Sequence, residues 1–440
     1  AAPAPAGLQA GGPAAGPGPG APRRGSIGIA LVASGPRQLP LAYANLRVLR
    51  GLGCAWPVEL WHLGPRDITP AVAALFEREL GARVRAAQEN ALEILAALGP
   101  SHISWLRRML RREPAWPGAG ECEAPAAPAL AALLSAFERV VLVAADWTPF
   151  VDVCKEEYWD AGATGGEAPG ALLQPQHLAL GRQGHYPGAW RRAGLAEPPE
   201  PEGEAEVDES VLLLDRGRCP RGARAVLELL EENARWLEEA GAPAPGSGPG
   251  GASAFPCGTG PLWRAALARA NCSWQMPAFA PGLAGSLTTG PPEVAVFLGF
   301  GAVARAPRDG ALLGVHWQWL KETFFFQRPD PQRAPQLTRV QLAPARGDGP
   351  VPNATLLLTD MGGADAGPGQ RLPFVRYGDS PELRERTLTE WWRPGPIWQA
   401  AWEDAFTRVA RCDAPEERCL YPEREEDFCE PRPCRLLGGE

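Results

Sequence analysis

The sequence is poor in lysine and methionine, and it lacks long apolar runs, clustered basic residues and paired cysteine motifs. Lys155 and Lys321 are the only lysines and the net charge is −8, which argues against a nucleic-acid partner. Because no apolar run reaches about 18 residues, no membrane-spanning helix is predicted. The chain begins without Met in Ala-, Pro- and Gly-rich sequence, and we expect membrane contact only through an N-terminal anchor outside it.

The ten cysteines form no C-x-x-C pair and only five histidines accompany them, so we expect disulfides rather than structural zinc. Together with the N-glycosylation sequons at Asn271 and Asn353, this cysteine use indicates the lumen of the secretory pathway. Cys122 and Cys154 are expected in structural disulfides rather than as a reactive pair. Residues 412–440 form a Cys-rich tail in which we expect a disulfide staple among Cys412, Cys419, Cys429 and Cys434.

Composition divides the chain into three regions. Residues 1–25 are low-complexity and predict a flexible stem, residues 26–411 have the apolar periodicity of a folded domain, and residues 412–440 are the tail. The folded region opens with strand, helix, strand and helix, a βαβ pattern that predicts an α/β fold with a mostly parallel sheet. These elements are predicted at Ser26–Ser34, Leu39–Leu52, Val58–Leu63 and Thr69–Leu80.

A buried strand that ends in an acidic turn is the feature around which the chain is organised. Val140–Val143 is a continuous apolar run rich in β-branched residues, typical of a strand covered on both faces. Asp146 follows closely, and Pro149 prevents a helix there. Ligands of open α/β sheets bind beyond the carboxyl ends of the strands. Asp146 is therefore predicted to lie where a metal-bound diphosphate would lie.

The rest of the folded region also alternates between helices and strands. Helices are predicted at Leu130–Phe137, Ala223–Leu237 and Ile397–Val409. Strands are predicted at Val211–Leu214, Val294–Leu298 and Leu312–Trp317, the last two joined as a hairpin. A linker is predicted over Glu197–Glu206, and loops are predicted over residues 241–253, 328–350 and 361–371.

Four segments carry a resemblance to a known family. The most specific is Asn45–Gly64, which reads N-L-R-V-L-R-G-L-G-C-A-W-P-V-E-L-W-H-L-G. The other three are Ser135–Val140 with its acidic turn, Glu209–Asp215 and Gly301–His316. Over roughly residues 26–322 the chain resembles the Golgi α-mannosyltransferase family of the fungal type, as a divergent member.

The resemblance implies a nucleotide-sugar transferase (GT-A-like) fold in which a mostly parallel sheet is flanked by helices. It also implies an enzyme, a glycosyltransferase that moves mannose from a nucleotide-sugar donor to a glycan hydroxyl in the Golgi or elsewhere in the secretory lumen. A divalent metal ion, manganese or magnesium, would be its cofactor. The nucleotide sugar and a glycan acceptor would be its partners.

The chain departs from the family at its centre. Where the family has Asp-x-Asp, this chain has Ala144-Ala145-Asp146, a degenerate form of the motif. Polar residues of the family are also replaced near Pro128, Thr259 and Ala304. These losses support a competing hypothesis, in which the protein keeps the fold but has lost catalysis and serves as a glycan-binding or partner subunit.

The candidate site residues each have a functional and a structural interpretation. Asp146 would bind the metal and the donor diphosphate, with Asp152 or water completing the shell, or it would cap a turn. His316 would contact the diphosphate or the metal, or it would be a satisfied core histidine. Glu209 would accept the proton of the acceptor hydroxyl, or it would cap a strand start. Ser34, at the end of the first predicted strand, is expected to contact the donor.

Overall fold

The computed structural model describes most of the folded region and short pieces of the C-terminal part. The described residues are 23–110, 126–159, 168–176, 193–195, 206–240, 259–277, 282–290, 294–307, 312–316, 336–342, 355–360, 384–387, 400–401, 404–405, 408–411 and 435–436. The predicted stem up to residue 22, the loops at 241–253 and 361–371 and the four tail cysteines lie outside them.

The N-terminal half alternates strands and helices. Its strands are β1 (Arg23–Val32), β2 (Val58–His62), β3 (Ala82–Ala86), β4 (Phe137–Ala144), β5 (Trp147–Pro149), β6 (Ala171–Gln176) and β7 (Glu206–Asp215). Its helices are α1 (Gly35–Gly51), α2 (Pro70–Leu80), α3 (Ala91–Leu98), α4 (Ile103–Leu110) and α5 (Ala127–Leu134). Short 3-10 turns occupy Gln88–Asn90, Pro100–His102 and Glu156–Tyr158.

The C-terminal half continues with helices α6 (Gly222–Ala240) and α7 (Gly260–Arg269). Its longer strands are β9 (Gly282–Gly290), β10 (Val294–Arg305), β11 (Leu312–His316), β12 (Gln336–Leu342), β13 (Thr355–Asp360) and β14 (Arg384–Thr387). Two-residue strands are β8 (Trp274–Gln275), β15 (Ala410–Arg411) and β16 (Arg435–Leu436). Helical turns at residues 400–401 and 404–405 agree with the predicted helix over 397–409.

The main sheet has the strand order β3-β2-β1-β4-β7-β6-β8. Four of its six pairings are parallel, and the two that involve β7 are antiparallel. The predicted α/β class with a mostly parallel sheet flanked by helices is confirmed. Val32 of β1 pairs with Ala144 of β4, so these two central strands end at the same edge of the sheet.

A second seven-stranded sheet, with the order β14-β12-β13-β9-β10-β11-β5, was not predicted. Its pairings are antiparallel except that between β13 and β9. The predicted hairpin is confirmed as β10 and β11, but the loop predicted over 328–350 was wrong at residues 336–342, which form β12. Because β5 follows β4 after two residues, the two sheets meet at the acidic turn.

Strand β4 is buried on both faces, as predicted. Val140 and Leu142 belong to the core beneath α5 and α6, whereas Val141 and Val143 belong to the core beneath α1 and α2. All four are at most 1% exposed. The continuous apolar run therefore reflects a strand that faces two cores, since successive side chains point to opposite faces.

Helix and strand ends follow local chemistry, with several corrections to the predicted bounds. The Thr69 hydroxyl accepts the N–H of Val72 at 3.3 Å, and Gly81 ends α2 in the left-handed region at φ 60°, as a cap and a C-terminal glycine should. Helix α1 begins at Gly35 rather than Leu39. Pro36 lies in its first turn, where no N–H is required, and Pro40 lies inside the helix. Strand β1 begins at Arg23, inside the predicted stem, and α5 ends at Leu134 rather than at residue 137.

Two disulfides staple the described part of the chain. Cys54 is bonded to Cys154, and Cys219 is bonded to Cys272. Cys154 is thus in a structural disulfide as expected, while Cys122 lies outside the described residues. Within the described residues, none of the helices combines the length and apolar character needed to cross a bilayer.

Candidate active site

The carboxyl edge of the main sheet brings Asp146 and His316 together. Asp146 follows β4 and is 3% exposed. Strand β11 pairs with β5 so that His316 lies opposite Trp147, the residue after Asp146. As a result, Nε2 of His316 and Oδ2 of Asp146 are 3.0 Å apart. Two residues that the sequence separates by 170 positions therefore form one contact, as their joint assignment to the donor and metal site requires.

Asp208 of β7 is the third member of the cluster, and it was not predicted. Its Oδ1 lies 3.0 Å from Nδ1 of His316 and also accepts the N–H of Ser210 at 2.9 Å. Strand β7 runs antiparallel to β4, with Val211 opposite Val143, so the residues before Val211 extend to the carboxyl end of β4. Both ring nitrogens of His316 thus face a buried carboxylate.

An irregular register between β6 and β7 explains why Asp208 was not predicted from the sequence. On β6, Leu172 pairs with Leu213 but Gln174 pairs with Asp208, so two steps on β6 correspond to five on β7. Such a bulge changes which face each side chain occupies, and strict alternation along β7 then fails as a guide. The only sequence signal was the acidic pair Asp208-Glu209 at the start of an apolar strand.

The charges of the cluster support one another. Burial by itself lowers the pKa of His316, but the negative charges of Asp146 and Asp208 and their hydrogen bonds outweigh it and raise that pKa to about 10. Burial pushes the pKa of Asp208 upward, yet the His316 charge and hydrogen bonds leave it below its ordinary value. In the absence of a cation, His316 is therefore an imidazolium held between two carboxylates, and the cluster has a net charge of −1.

Glu209 points to a different element. Its Oε2 accepts the N–H of Thr259 at 2.7 Å and also the Thr259 hydroxyl. Thr259 is fully buried and precedes α7, so Glu209 caps the start of that helix. A Cβ on Gly260 would lie 2.3 Å from the carbonyl oxygen of Val207, which is why the helix can approach β7 only with glycine there. The cap is on a helix rather than on the strand start named in the structural interpretation.

Ser34 lies at the same sheet edge as Asp146, just beyond the end of β1. The residue is 2% exposed, its N–H donates to the Gln38 side chain at 2.9 Å, and its Oγ has no hydrogen-bond partner among the described residues. A buried hydroxyl without a partner is costly, and a ligand that supplied one would relieve that cost. This geometry fits the expected contact with a donor.

Asp152 does not belong to the cluster. Its Oδ1 accepts the N–H of Cys154 at 3.0 Å, and Cys154 is bonded to Cys54. Cys54 lies between the end of α1 and the start of β2, at the opposite edge of the sheet from Asp146. Asp152 therefore cannot complete a metal shell at Asp146, and this leaves water for that role.

The donor set of the cluster suits a divalent cation. Asp146 offers a carboxylate oxygen and His316 a ring nitrogen, ligand types that manganese accepts, whereas magnesium prefers oxygen alone. Asp208 can accept a hydrogen bond from the other ring nitrogen, which is the usual support of a metal-bound histidine. The residues therefore fit a cation held by Asp146 and His316, with donor phosphate oxygens and water as further ligands.

One family of known proteins matches part of the chain. A family model described as "Mannosyltransferase putative" matches residues 26–158. Over that segment the chain is similar to the mannosyltransferase family. The segment includes most of β1, all of β4, Ser34 and Asp146, and the match supports the predicted glycosyltransferase class. A comparison with curated proteins returns no match.

Several solved glycosyltransferases are distantly similar in structure. The galactosyltransferase LgtC, solved with donor and acceptor sugar analogues, is 13% identical, with 48% of this chain and 64% of that chain covered and a TM-score of 0.26. The bifunctional glycosyltransferase WbbM is 8% identical, with 50% and 39% covered and a TM-score of 0.31. Mouse xyloside xylosyltransferase 1 is 13% identical, with 56% and 77% covered and a TM-score of 0.28. The chain thus spans less than two thirds of the length of the first two.

Proposed function

We propose that the protein is a glycosyltransferase of the secretory pathway that transfers mannose from a nucleotide-sugar donor to a glycan hydroxyl. The observation that carries the proposal is the contact between Asp146 and His316 at the carboxyl edge of the sheet. Ligands of open α/β sheets bind at this edge. The similarity of residues 26–158 to mannosyltransferases supports the choice of sugar.

In this proposal the cluster binds the diphosphate end of the donor. Asp146 and His316 would hold a manganese or magnesium ion, and the Ser34 hydroxyl would donate a hydrogen bond to the donor. A bound cation would offset the negative charge that develops on the departing nucleoside diphosphate. Asp208 accepts a hydrogen bond from Nδ1 of His316 and so keeps Nε2 directed at Asp146.

The acceptor side of the reaction is an attack by a glycan hydroxyl on the anomeric carbon, with cleavage of the bond to the diphosphate oxygen. Glu209 is the proposed acceptor of the hydroxyl proton. One substitution distinguishes a catalytic base from a helix cap at this position. Glu209→Gln keeps an oxygen that can accept the hydrogen bond from Thr259 but removes the basic carboxylate. If Glu209 is the base, this substitution lowers kcat by at least a hundred-fold; if it is only a cap, kcat is unchanged.

One observation favours a second candidate function. Asp146, His316 and Asp208 satisfy one another without a cation, and a second aspartate of the kind that the family motif supplies is missing at Ala144. A protein that had lost catalysis could keep this cluster as a buried ion-pair network and act as a glycan-binding or partner subunit. Its glycan affinity would then be independent of nucleotide sugars.

Sugar transfer separates the two candidates. The purified chain is incubated with mannose-containing glycan acceptors and a panel of guanosine and uridine diphosphate sugars, with manganese or with EDTA. If the protein is an enzyme, product should form only with a cation, and a mannose donor should be preferred. Glycan binding without transfer from any donor would favour the non-catalytic function.

We propose that the protein acts in the secretory lumen, and specifically in the Golgi. The two disulfides are typical of an oxidising compartment. Asn271 of the first sequon is exposed at the end of α7, where a glycan would meet solvent. Localisation of a tagged full-length protein against Golgi and endoplasmic reticulum markers tests the finer assignment.

A further inference from the structure

Asn45 of α1 binds both sides of the acidic turn. Its Nδ2 donates to the carbonyl oxygen of Ala145 at 2.6 Å, and its Oδ1 accepts the Thr148 hydroxyl at 2.9 Å. Asn45 is 2% exposed and Thr148 is 1% exposed. The orientation of the amide follows from its partners, because a carbonyl oxygen can only accept and must face the NH₂ group.

The two bonds fix the segments that carry the cluster. The Ala145 carbonyl belongs to the peptide that leads into Asp146, so a bond to it restrains the backbone from which the carboxylate extends. Thr148 lies on β5 opposite Val315, the residue before His316. A single side chain on α1 therefore ties the Asp146 turn to the strand pair that carries His316.

The separation of Asp146 and His316 matters because a cation site depends on geometry at the level of a few tenths of an ångström. Asn45 acts on the cluster through the Ala145 carbonyl and the Thr148 hydroxyl, and a helix is a more rigid support than the turn itself. We propose that Asn45 is a positioning residue that sets the separation of Asp146 and His316 for the cation. This inference rests on the proposed function and adds a residue to it.

The chain offers a matched control in Asn233 of α6. Asn233 is also 2% exposed, and its Nδ2 donates to the carbonyl oxygen of Leu229 at 2.7 Å. Asn233→Ala thus removes one buried bond between a side-chain amide and a carbonyl, of the kind that Asn45 makes to Ala145. Leu229 lies one turn earlier on the same helix as Asn233, so this bond stays within α6, and both substitutions should lower Tm.

The first measurement is the affinity of the full chain for Mn²⁺, read by electron paramagnetic resonance with saturating GDP and, separately, with saturating UDP. We expect Asn45→Ala to weaken Mn²⁺ about ten-fold, in the range seen when support of a metal ligand is removed. Thr148→Val should weaken it less, and Thr148→Ser should restore it. Asn233→Ala should leave it unchanged. Equal effects of Asn45→Ala and Asn233→Ala, or none from either, would overturn the inference.

The second measurement does not need a cation, so the inference and the proposed function can fail separately. In the metal-free protein, the imidazole N–H protons of His316 should give downfield NMR signals that are lost in His316→Gln. We expect Asn45→Ala to shift or broaden them and Asn233→Ala to preserve them. If the wild type binds no Mn²⁺, the proposed function fails while this spectrum still decides the role of Asn45. Unchanged His316 signals in Asn45→Ala would refute the positioning role of Asn45.

Discussion

Replacing His316 by glutamine should change how the stability of the metal-free protein depends on pH. The imidazole lies between two buried carboxylates that raise its pKa to about 10, from an ordinary value of 6.5. Between these two values the folded protein keeps a proton that the unfolded chain has released. Since the folded pKa is the higher one, the stabilisation is complete below pH 6.5 and is lost as the pH rises towards 10.

The expected slope follows from that single proton. The wild type should lose about 1.4 kcal/mol of unfolding free energy per pH unit relative to His316→Gln, because one extra proton is bound in the folded state. From pH 7.5 to 9.5 the difference between the two proteins should shrink by about 2–3 kcal/mol. Other titrating groups are shared, so they cancel in the difference unless they contact position 316.

Urea unfolding in EDTA at pH 7.5, 8.5 and 9.5 measures this difference. Lower pH is avoided because removal of the imidazolium takes away the charge and hydrogen bonds that lower the pKa of Asp208. His62→Gln is the control, since burial lowers the pKa of His62 and leaves it neutral in both states over this range. A difference that stays constant with pH for His316→Gln would refute the imidazolium and the charge balance derived from it.

Three further predictions test the surroundings of the cluster. Gly314→Ala should destabilise the protein by about 1–3 kcal/mol in thermal unfolding and weaken the pairing of β5 with β11, because its Cβ would lie 2.5 Å from the carbonyl oxygen of Thr148; an unchanged Tm would contradict this. Loss of the disulfide in the Cys219→Ala, Cys272→Ala double variant should cost about 2–4 kcal/mol, since it closes a loop of 53 residues, and equal urea midpoints would count against a structural role. Expression in a eukaryotic secretory pathway should give a glycosidase-sensitive mass increase that Asn271→Gln reduces, and no change in that variant would show that the exposed sequon is not used.

The main sheet could be predicted because its signals are local. Val140–Val143 is apolar on both faces, and α2 of the βαβ pattern has its Thr69 cap and its first-turn proline at the expected positions. The second sheet could not be predicted in this way. Its strands come from distant parts of the chain, and one of them, β12, has polar residues in a Pro-rich region that predicted a loop. Pairing with β13 and β14, rather than composition, makes residues 336–342 a strand.

The candidate site was only partly predictable for the same reason. Asp146 could be placed from the strand before it, and His316 from the hairpin that carries it. Their contact depends on the pairing of β5 with β11, and that of His316 with Asp208 depends on the bulge in β7. Glu209 was selected by its residue type, which gives no information about the direction of its side chain.

The structure also shows what the residues of Asn45–Gly64, the segment that carried the resemblance, do in the fold. Asn45 holds the acidic turn, and Cys54 is bonded to Cys154. Glu59 is buried, accepts the indole N–H of Trp61 at 3.1 Å and lies 3.4 Å from the N–H of Ala136, just before β4. The segment therefore supports both ends of β4. Its role is to hold the strand and the acidic turn in place, rather than to contact the reacting groups.

Coupled binding of donor and cation tests the central claim most directly. Affinity for a nucleotide sugar is measured by calorimetry for the wild type and for Asp146→Ala, each with Mn²⁺ and with EDTA. If Asp146 and His316 hold the cation beside the donor diphosphate, Mn²⁺ should tighten donor binding to the wild type at least ten-fold and should have little effect on Asp146→Ala. Donor binding that is the same with Mn²⁺ and with EDTA, or equal enhancement in both proteins, would contradict the account.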